Sequence, residues 1–257
     1  MIEAIPKPNF WRALVDNDMG NLLANRCGQW KLASLYSTFH NPYDQKADMG
    51  LKNPSVDKNE DGSVTVTYTY YLPTTPAAAC TLSYRVSGDG SVRTTLVYDP
   101  VEGLPDMPEF SVMFKLNADY QFMEWYGMGP DDCYCDRKEG ARLGIHKKTV
   151  EENAFQYLVP QESGNHTGVR SMKVTDHRGR GMLFESDGLE MCVSPYTPHE
   201  LENAMHPYEL PQVHYTVVRV GKQMGVGGDD SWGSHTHDEY LIRSTQRQEI
   251  SFTFRGI

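Results

Sequence analysis

The run Gly225-Val-Gly-Gly-Asp-Asp-Ser-Trp232 brings consecutive glycines, two acids and a large aromatic together near the C-terminus. Glycine lets a backbone turn sharply or approach another surface closely. A Trp carried on such a loop presents a flat apolar face that can stack on a sugar ring, and an indole N–H that can donate a hydrogen bond. Trp232 is therefore a candidate binding residue. Gly227 and Gly228 would shape its loop, and Asp229 and Asp230 would accept loop backbone N–H groups. A core Trp flanked by a tight turn would give the same string.

Other residues have the right types for chemistry but not the right spacing. Glu124, Glu162, Asp16 and Asp18 could be taken for a catalytic carboxylate pair. Nothing along the chain sets any two at a working separation, and hydrogen bonding at turns is the preferred reading. His235-Thr-His237-Asp238 would point both imidazoles to one side of a strand. Two ligands and a third candidate fall short of a metal site, so no metal is assigned. His206-Pro-Tyr208 could serve as the acid of a sugar epimerase opposite a carboxylate such as Glu162. Arg12, Arg137 and Arg170 read as ion-pairing or carbonyl-binding groups inside the fold, and Trp11, Trp30 and Trp125 as core.

The elements that must position these residues are strands. Val64, Val66, Tyr68 and Tyr70 alternate with Thr65, Thr67 and Thr69, the period of a half-buried strand. Cys80 to Val86 and Val92 to Tyr98 flank Gly88-Asp-Gly90 and read as a hairpin. Further runs begin at Phe110 and Val213 and end the chain at Ile250 to Phe254, with shorter ones at Met182 to Phe184 and Met191 to Val193. One short helix is expected: Thr197-Pro-His-Glu200 carries the capping-box pattern with Pro at the first helical position, and the helix would end near Met205. Asn41 to Asn59 is polar and reads as a long loop. With helices scarce, sheet must cover sheet, which predicts a large two-sheet antiparallel β-sandwich, all-β, over residues 1–257 as a single domain.

Composition narrows the function classes. The 257 residues are 39% hydrophobic and 23% charged, a globular balance. A net charge of -10 and the lack of a basic stripe argue against nucleic acid and against anionic membrane as partners. No apolar stretch approaches the roughly 20 residues of a membrane helix, and Met1 to Pro6 lacks the pattern of a signal peptide. The expectation is a soluble chain, cytoplasmic or periplasmic. Cys27, Cys80, Cys133, Cys135 and Cys192 are odd in number and irregular in spacing, which predicts free thiols.

Four segments in order carry a resemblance. They are Asn9-Phe-Trp-Arg-Ala13 with Asp16-Asn-Asp-Met-Gly-Asn21; Trp125-Tyr-Gly-Met-Gly-Pro130 with Asp132, Tyr134, Asp136 and Arg137; Pro160-Gln-Glu-Ser-Gly-Asn165 with Arg170; and Met224 to Trp232. Together they resemble the C-terminal, or small-chain, domain of glycoside hydrolase family 2 β-galactosidases. Departures from that pattern are Leu14-Val15 for Pro-Thr, Asp132 for Glu, Cys135 for Pro and Ser163 for Asn. The resemblance implies a galactose-mutarotase-like supersandwich and hydrolysis of the retaining type. It implies that the two catalytic Glu residues lie on a barrel elsewhere, with no catalytic residue in this chain. Trp232 would then reach the galactoside. It implies partners, namely a galactoside sugar and the remaining β-galactosidase domains or a large subunit, and leaves homo-oligomers open. No cofactor is expected in this chain, with Mg and Na sites in the other domains. The alternatives are an aldose 1-epimerase-like enzyme and a non-catalytic carbohydrate-binding module.

Overall fold

A computed structural model describes residues 1–39 and 54–257. Twelve antiparallel strands form one continuous curled sheet. In chain order they are β1 (Lys7–Asn9), β2 (Ser55–Lys58), β3 (Val64–Leu72), β4 (Ala78–Val86), β5 (Val92–Tyr98), β6 (Glu109–Asn117), β7 (Phe122–Gly129), β8 (Arg142–Thr149), β9 (Asn165–Thr175), β10 (Gly181–Ser194), β11 (Tyr215–Gln223) and β12 (Gln248–Gly256). The alternating Thr and aromatic run becomes β3 over its full expected length, and β4 and β5 pair as the expected hairpin.

The joint of the sheet is β10. Phe184 pairs with Phe254 of β12 and with Met172 of β9, so those partners lie on opposite edges. Further along the first edge, Glu190 to Ser194 pair with β11 instead. On the opposite edge the register with β9 slips around Gly188, whose φ of +96° favours glycine. One branch therefore runs β11, β6, β1; a second runs β12, β5, β4, β3, β2; a third runs β9, β7, β8. The two apolar runs at Met182 and Met191, expected as separate strands, are the two ends of this single long strand.

Aromatic side chains from the branches meet inside. Phe114 of β6 packs edge-on against Phe184 of β10, at 5.1 Å between centroids, and against Phe254 of β12, at 5.2 Å. Phe110, Leu82, Leu96, Met172 and Val220 belong to the same buried cluster. Burying this apolar surface on facing strands is what holds the sandwich closed.

Helix content corrects the expectation of one short helix. Four α-helices are present among the described residues, α1 (Asp16–Gly20), α2 (Leu23–Tyr36), α3 (Val150–Asn153) and α4 (Pro198–Glu202), with 3-10 turns at Pro207–Glu209 and Asp238–Tyr240. The expected one is α4, capped by Thr197 and Glu200 as its sequence predicts, but it stops at Glu202. The 14-residue α2 buries Leu23, Cys27, Trp30, Ala33 and Ser34 on one face. That spacing is helical, but small and polar residues at three of the five positions hide it from a hydrophobic pattern. Trp30 carries the face: its ring packs on Phe10 and Tyr98, and its indole donates to the Pro105 carbonyl at 2.8 Å.

Within the stretch expected as a loop, Ser55–Lys58 is strand β2, exposed at the sheet edge and paired with β3. Residues 41–53 of that stretch lie outside the described residues. No helix among the described residues is long and apolar enough to cross a membrane. All five cysteines are free thiols.

Candidate functional site

The four sequence segments, separated by more than 200 residues end to end, meet on one side of the sandwich. The meeting point is the base of the loop after β11. Met224 N–H donates to the Pro108 carbonyl and Gly225 N–H to the Tyr240 carbonyl, both at 3.0 Å. The Gly225 carbonyl accepts from Arg12 Nη2 at 3.1 Å and from Thr236 Oγ1 at 3.2 Å. Arg12 is wholly buried and holds Asp18 through Nη1 at 2.5 Å and Nη2 at 3.2 Å. Asp18 also accepts from the Val15 N–H at 2.9 Å and so fixes the start of α1. The first segment is thereby a brace for the fourth.

The second and third segments close the ring. Asp136 Oδ2 accepts the Gly227 N–H at 2.8 Å. Glu162 Oε2 accepts the Ala13 N–H at 3.1 Å, and Gln161 Oε1 accepts the Asp16 N–H at 3.3 Å. Asp132 Oδ2 accepts the Gly164 N–H at 3.2 Å, tying the second segment to the third.

Trp232 stands at the tip of this braced loop and is 89% exposed. The core placement that its string also allowed is not what the fold adopts. Asp230 Oδ1 accepts the N–H groups of Trp232, Gly233 and Ser234, at 2.8, 3.2 and 3.3 Å. Those donors, the Trp232 N–H first, pull the Asp230 carboxyl below the usual range. Asp229 differs from expectation. It is paired with His237 Nε2 at 2.9 Å instead of with loop N–H groups, and that contact raises the His237 pKa. Gly228 is demanded by space, since a Cβ there would lie 2.5 Å from the Ser234 carbonyl oxygen. Gly227 is not: a Cβ there would meet Asp136 at 3.5 Å, an ordinary contact. The tighter glycines are Gly225, whose Cβ would sit 2.7 Å from Asp136 Oδ2, and Gly20 of α1.

The carboxylates considered for catalysis do not converge. Glu124 lies on β7 between Lys147 and Lys173. Asp18 is held by Arg12, and Asp16 is exposed. Glu162 is bonded to Arg219, which also grips Glu109 with its other nitrogen. Glu109 and Glu162 are thus a close carboxylate pair, but both side chains are at most 1% exposed and both are committed to one guanidinium. Burial pushes the Glu109 carboxyl up, to about 7, against the pull of Arg219. The pair neutralises the buried Arg219 charge.

The epimerase arrangement is not formed either. His206 is exposed and paired with Glu209 at 3.2 Å, whereas Glu162 is fully buried. Among the described residues no three His, Cys, Asp or Glu side chains are placed to hold a metal.

Arginine roles divide differently from expectation. Arg12 is internal, but Arg137 forms a surface pair with Asp132 at 3.0 Å, and Arg170 is exposed over the Tyr126 ring. The buried arginine that sequence reasoning missed is Arg219. Its signal was a charge inside the apolar run Val217-Val-Arg-Val220. Glu202, also missed, accepts the Trp11 indole at 2.7 Å and the Leu14 N–H at 3.1 Å. Tyr134, Asp136 and Glu162 line a cleft of about 350 Å³ beneath the loop, together with Asp16 and Asn17 of α1.

A family model described as beta galactosidase small chain matches residues 1–255. A β-galactosidase of Halalkalibacterium halodurans is 45% identical over the whole of this chain, which covers 25% of that protein. One of Priestia megaterium is 39% identical over 98% of this chain and 23% of its own length. A β-galactosidase small subunit of Latilactobacillus sakei is 33% identical, over 96% of this chain and 83% of that subunit. The chain therefore spans about a quarter of the length of the first two relatives and most of the third. Among solved structures, a galactose mutarotase related enzyme of Lactobacillus acidophilus superposes with a TM-score of 0.40 at 9% identity, over 79% of this chain and 71% of that one.

Proposed function

The chain belongs to the beta galactosidase small chain family, and on that premise we propose that it completes the galactoside pocket of a β-galactosidase whose catalytic residues sit on other polypeptide. The partner is the remaining three quarters of a long β-galactosidase, or a separate large subunit. The enzyme belongs to glycoside hydrolase family 2 and is of the retaining type, its two Glu residues carried by a barrel outside this chain. Mg and Na sites, where they occur, belong to that other part. Lactose is one galactoside such a pocket would accept.

One observation carries this reading: a large indole, 89% exposed, held out on a loop that the first and second segments brace directly and the third braces through the first. An exposed Trp on a floppy loop would lose its contact energy to ordering entropy. Here the base of the loop is bonded to Arg12 and Asp136, and its tip to Asp230. Stacking on a sugar ring is worth about 0.5–1.5 kcal/mol by analogy with aromatic pairs, a factor of about 2 to 13 in rate or affinity.

The test is reconstitution. This chain alone should not cleave a chromogenic galactoside, and hydrolysis should appear when the complementary β-galactosidase polypeptide is added. Trp232→Ala should lower kcat/KM of the reconstituted enzyme by about tenfold, within the range just given. Turnover by the chain alone, abolished by a single Glu→Gln change in it, would refute the reading.

A further inference from the structure

Two loops hold apolar side chains out to solvent around one groove. The first, residues 154–160, leaves α3 towards β9, with Phe155 exposed and Leu158 90% exposed. The second, residues 203–214, leaves α4 towards β11 and exposes Met205, Tyr208 and Val213. Between them lies a groove of about 500 Å³, walled by Val150, Tyr157, Tyr196, Leu201 and Leu210 among others. Phe155 and Val213 line it directly, and Leu158 and Tyr208 adjoin the lining residues Tyr157 and Pro207. Single exposed apolar residues are ordinary on a protein surface. A cluster of them around one opening is the mark of a protein contact.

The groove is continuous with the face already described. Tyr157 and Gln161 line both the groove and the cleft beneath the Trp232 loop. Gln161 also accepts the Asp16 N–H of α1. A body seated in the groove therefore lies next to the loop that carries Trp232. The first loop is anchored while its side chains stay exposed: Phe155 N–H donates to Ser163 Oγ at 3.2 Å, and the Phe155 and Tyr157 rings lie 4.6 Å apart.

Charge selects the occupant. Residues 150–163 and 194–214 include Glu151, Glu152, Glu200 and Glu209 but no lysine or arginine. Glu152 caps α3 through Thr149, Glu200 is bonded to Thr197 and Tyr215, and Glu209 is paired with His206. Among the described residues that line the groove, Glu151 alone is charged, and it is exposed. A second copy docked face to face here would set these loops against themselves, acid against acid. An apolar segment carrying a basic residue meets both the groove and its rim. We propose that the groove receives such a segment of the remaining β-galactosidase polypeptide, with a lysine or arginine of that segment at Glu151. The proposal rests on the function proposed above, in which that polypeptide is the partner. This chain covers 25% and 23% of two long relatives, which leaves three quarters of each to pack beside a domain of this kind.

The test measures the affinity of this chain for the complementary β-galactosidase polypeptide, immobilised on a sensor surface. Leu158→Glu and Phe155→Ser should each weaken binding by about tenfold or more, as central apolar contacts do. Their melting temperatures should match the unaltered chain, because both side chains are exposed. Glu151→Gln should weaken binding by about two- to fivefold and flatten its dependence on salt. Ile145→Glu, at an exposed residue of the edge strand β8, should leave affinity within about twofold. In the complex of unaltered chains, amide hydrogen exchange should slow across residues 154–160 and 205–214, a readout that needs no variant. The groove is overturned if Leu158→Glu and Phe155→Ser bind as the unaltered chain does, or if Ile145→Glu costs as much as they do. It is also overturned if sedimentation shows the chain alone pairing with itself through Leu158. A complex that hydrolyses galactoside without depending on these loops keeps the function and removes the groove, whereas no complex at all removes both.

Discussion

Gly20 of α1 lies against the backbone of Ser231, so closely that a Cβ at Gly20 would sit 2.0 Å from the Ser231 carbonyl oxygen. The residue next to Ser231 is Trp232, and Ser231 Oγ donates to Asn17 Oδ1 of the same helix at 2.7 Å. The position of the exposed indole is therefore set by a helix more than 200 residues away in sequence.

Gly20→Ala should move that loop. The new methyl has backbone, not a flexible side chain, to displace. Overpacking of this kind costs about 1–3 kcal/mol. Thermal melts should show a modest loss of stability, and the reconstituted enzyme should lose galactoside hydrolysis beyond what the stability loss explains.

Trp232→Ala should leave stability within about 0.5 kcal/mol, because the side chain buries almost nothing. Trp30→Ala, at a residue with no exposure, should cost about 3–5 kcal/mol. Paired denaturant melts of the two variants check the contrast between an exposed Trp and a buried one.

Arg219→Met should destabilise the chain by about 3–5 kcal/mol, because it strands Glu109 and Glu162 as buried, unpaired carboxylates. Lowering the pH should recover part of the loss, since protonating the carboxyls removes the stranded charge. Urea melts at pH 7 and pH 5 measure both effects.

His166 gives a pH dependence of the opposite sign. It is fully buried, with Nε2 at 2.8 Å from Asn153 Oδ1 and its ring 4.0 Å from Trp125. Burial first, then Lys148 and His146, lowers its pKa to about 3, below the 6.5 of an ordinary histidine. The neutral ring therefore stabilises the fold above pH 6.5, and this contribution is lost as the pH falls through that window towards 3. Against His166→Gln, the unaltered chain should lose up to about 1.4 kcal/mol more per pH unit between those values, as one proton is taken up on unfolding. Melts of both proteins across the window test it.

Much of the sheet was legible from local pattern. A strand with one buried face writes its period directly into the chain, as Val64 to Leu72 does. Helix α2 was not legible, because its buried face uses Cys27, Ala33 and Ser34 beside Leu23 and Trp30, and small residues carry little hydrophobic signal. The long β10 was read as two pieces because its middle, Glu185 to Gly188, is polar where the sheet changes partners. In the site, the exposure of Trp232 and the capping role of Asp230 were legible. The exchange of roles between Gly227 and Gly225, the Asp229–His237 pair and the Glu109–Arg219–Glu162 cluster were not.

By itself the sequence determined the strand pattern, the exposed-loop composition around Trp232 and the family membership carried by four ordered segments. The tertiary structure decided which side chains those segments present to one another. Backbone period and turn chemistry act over a few residues and can be read in line. Ion pairs and close glycine contacts arise only when residues as distant as Arg12 and Gly225 are packed to within hydrogen-bonding reach.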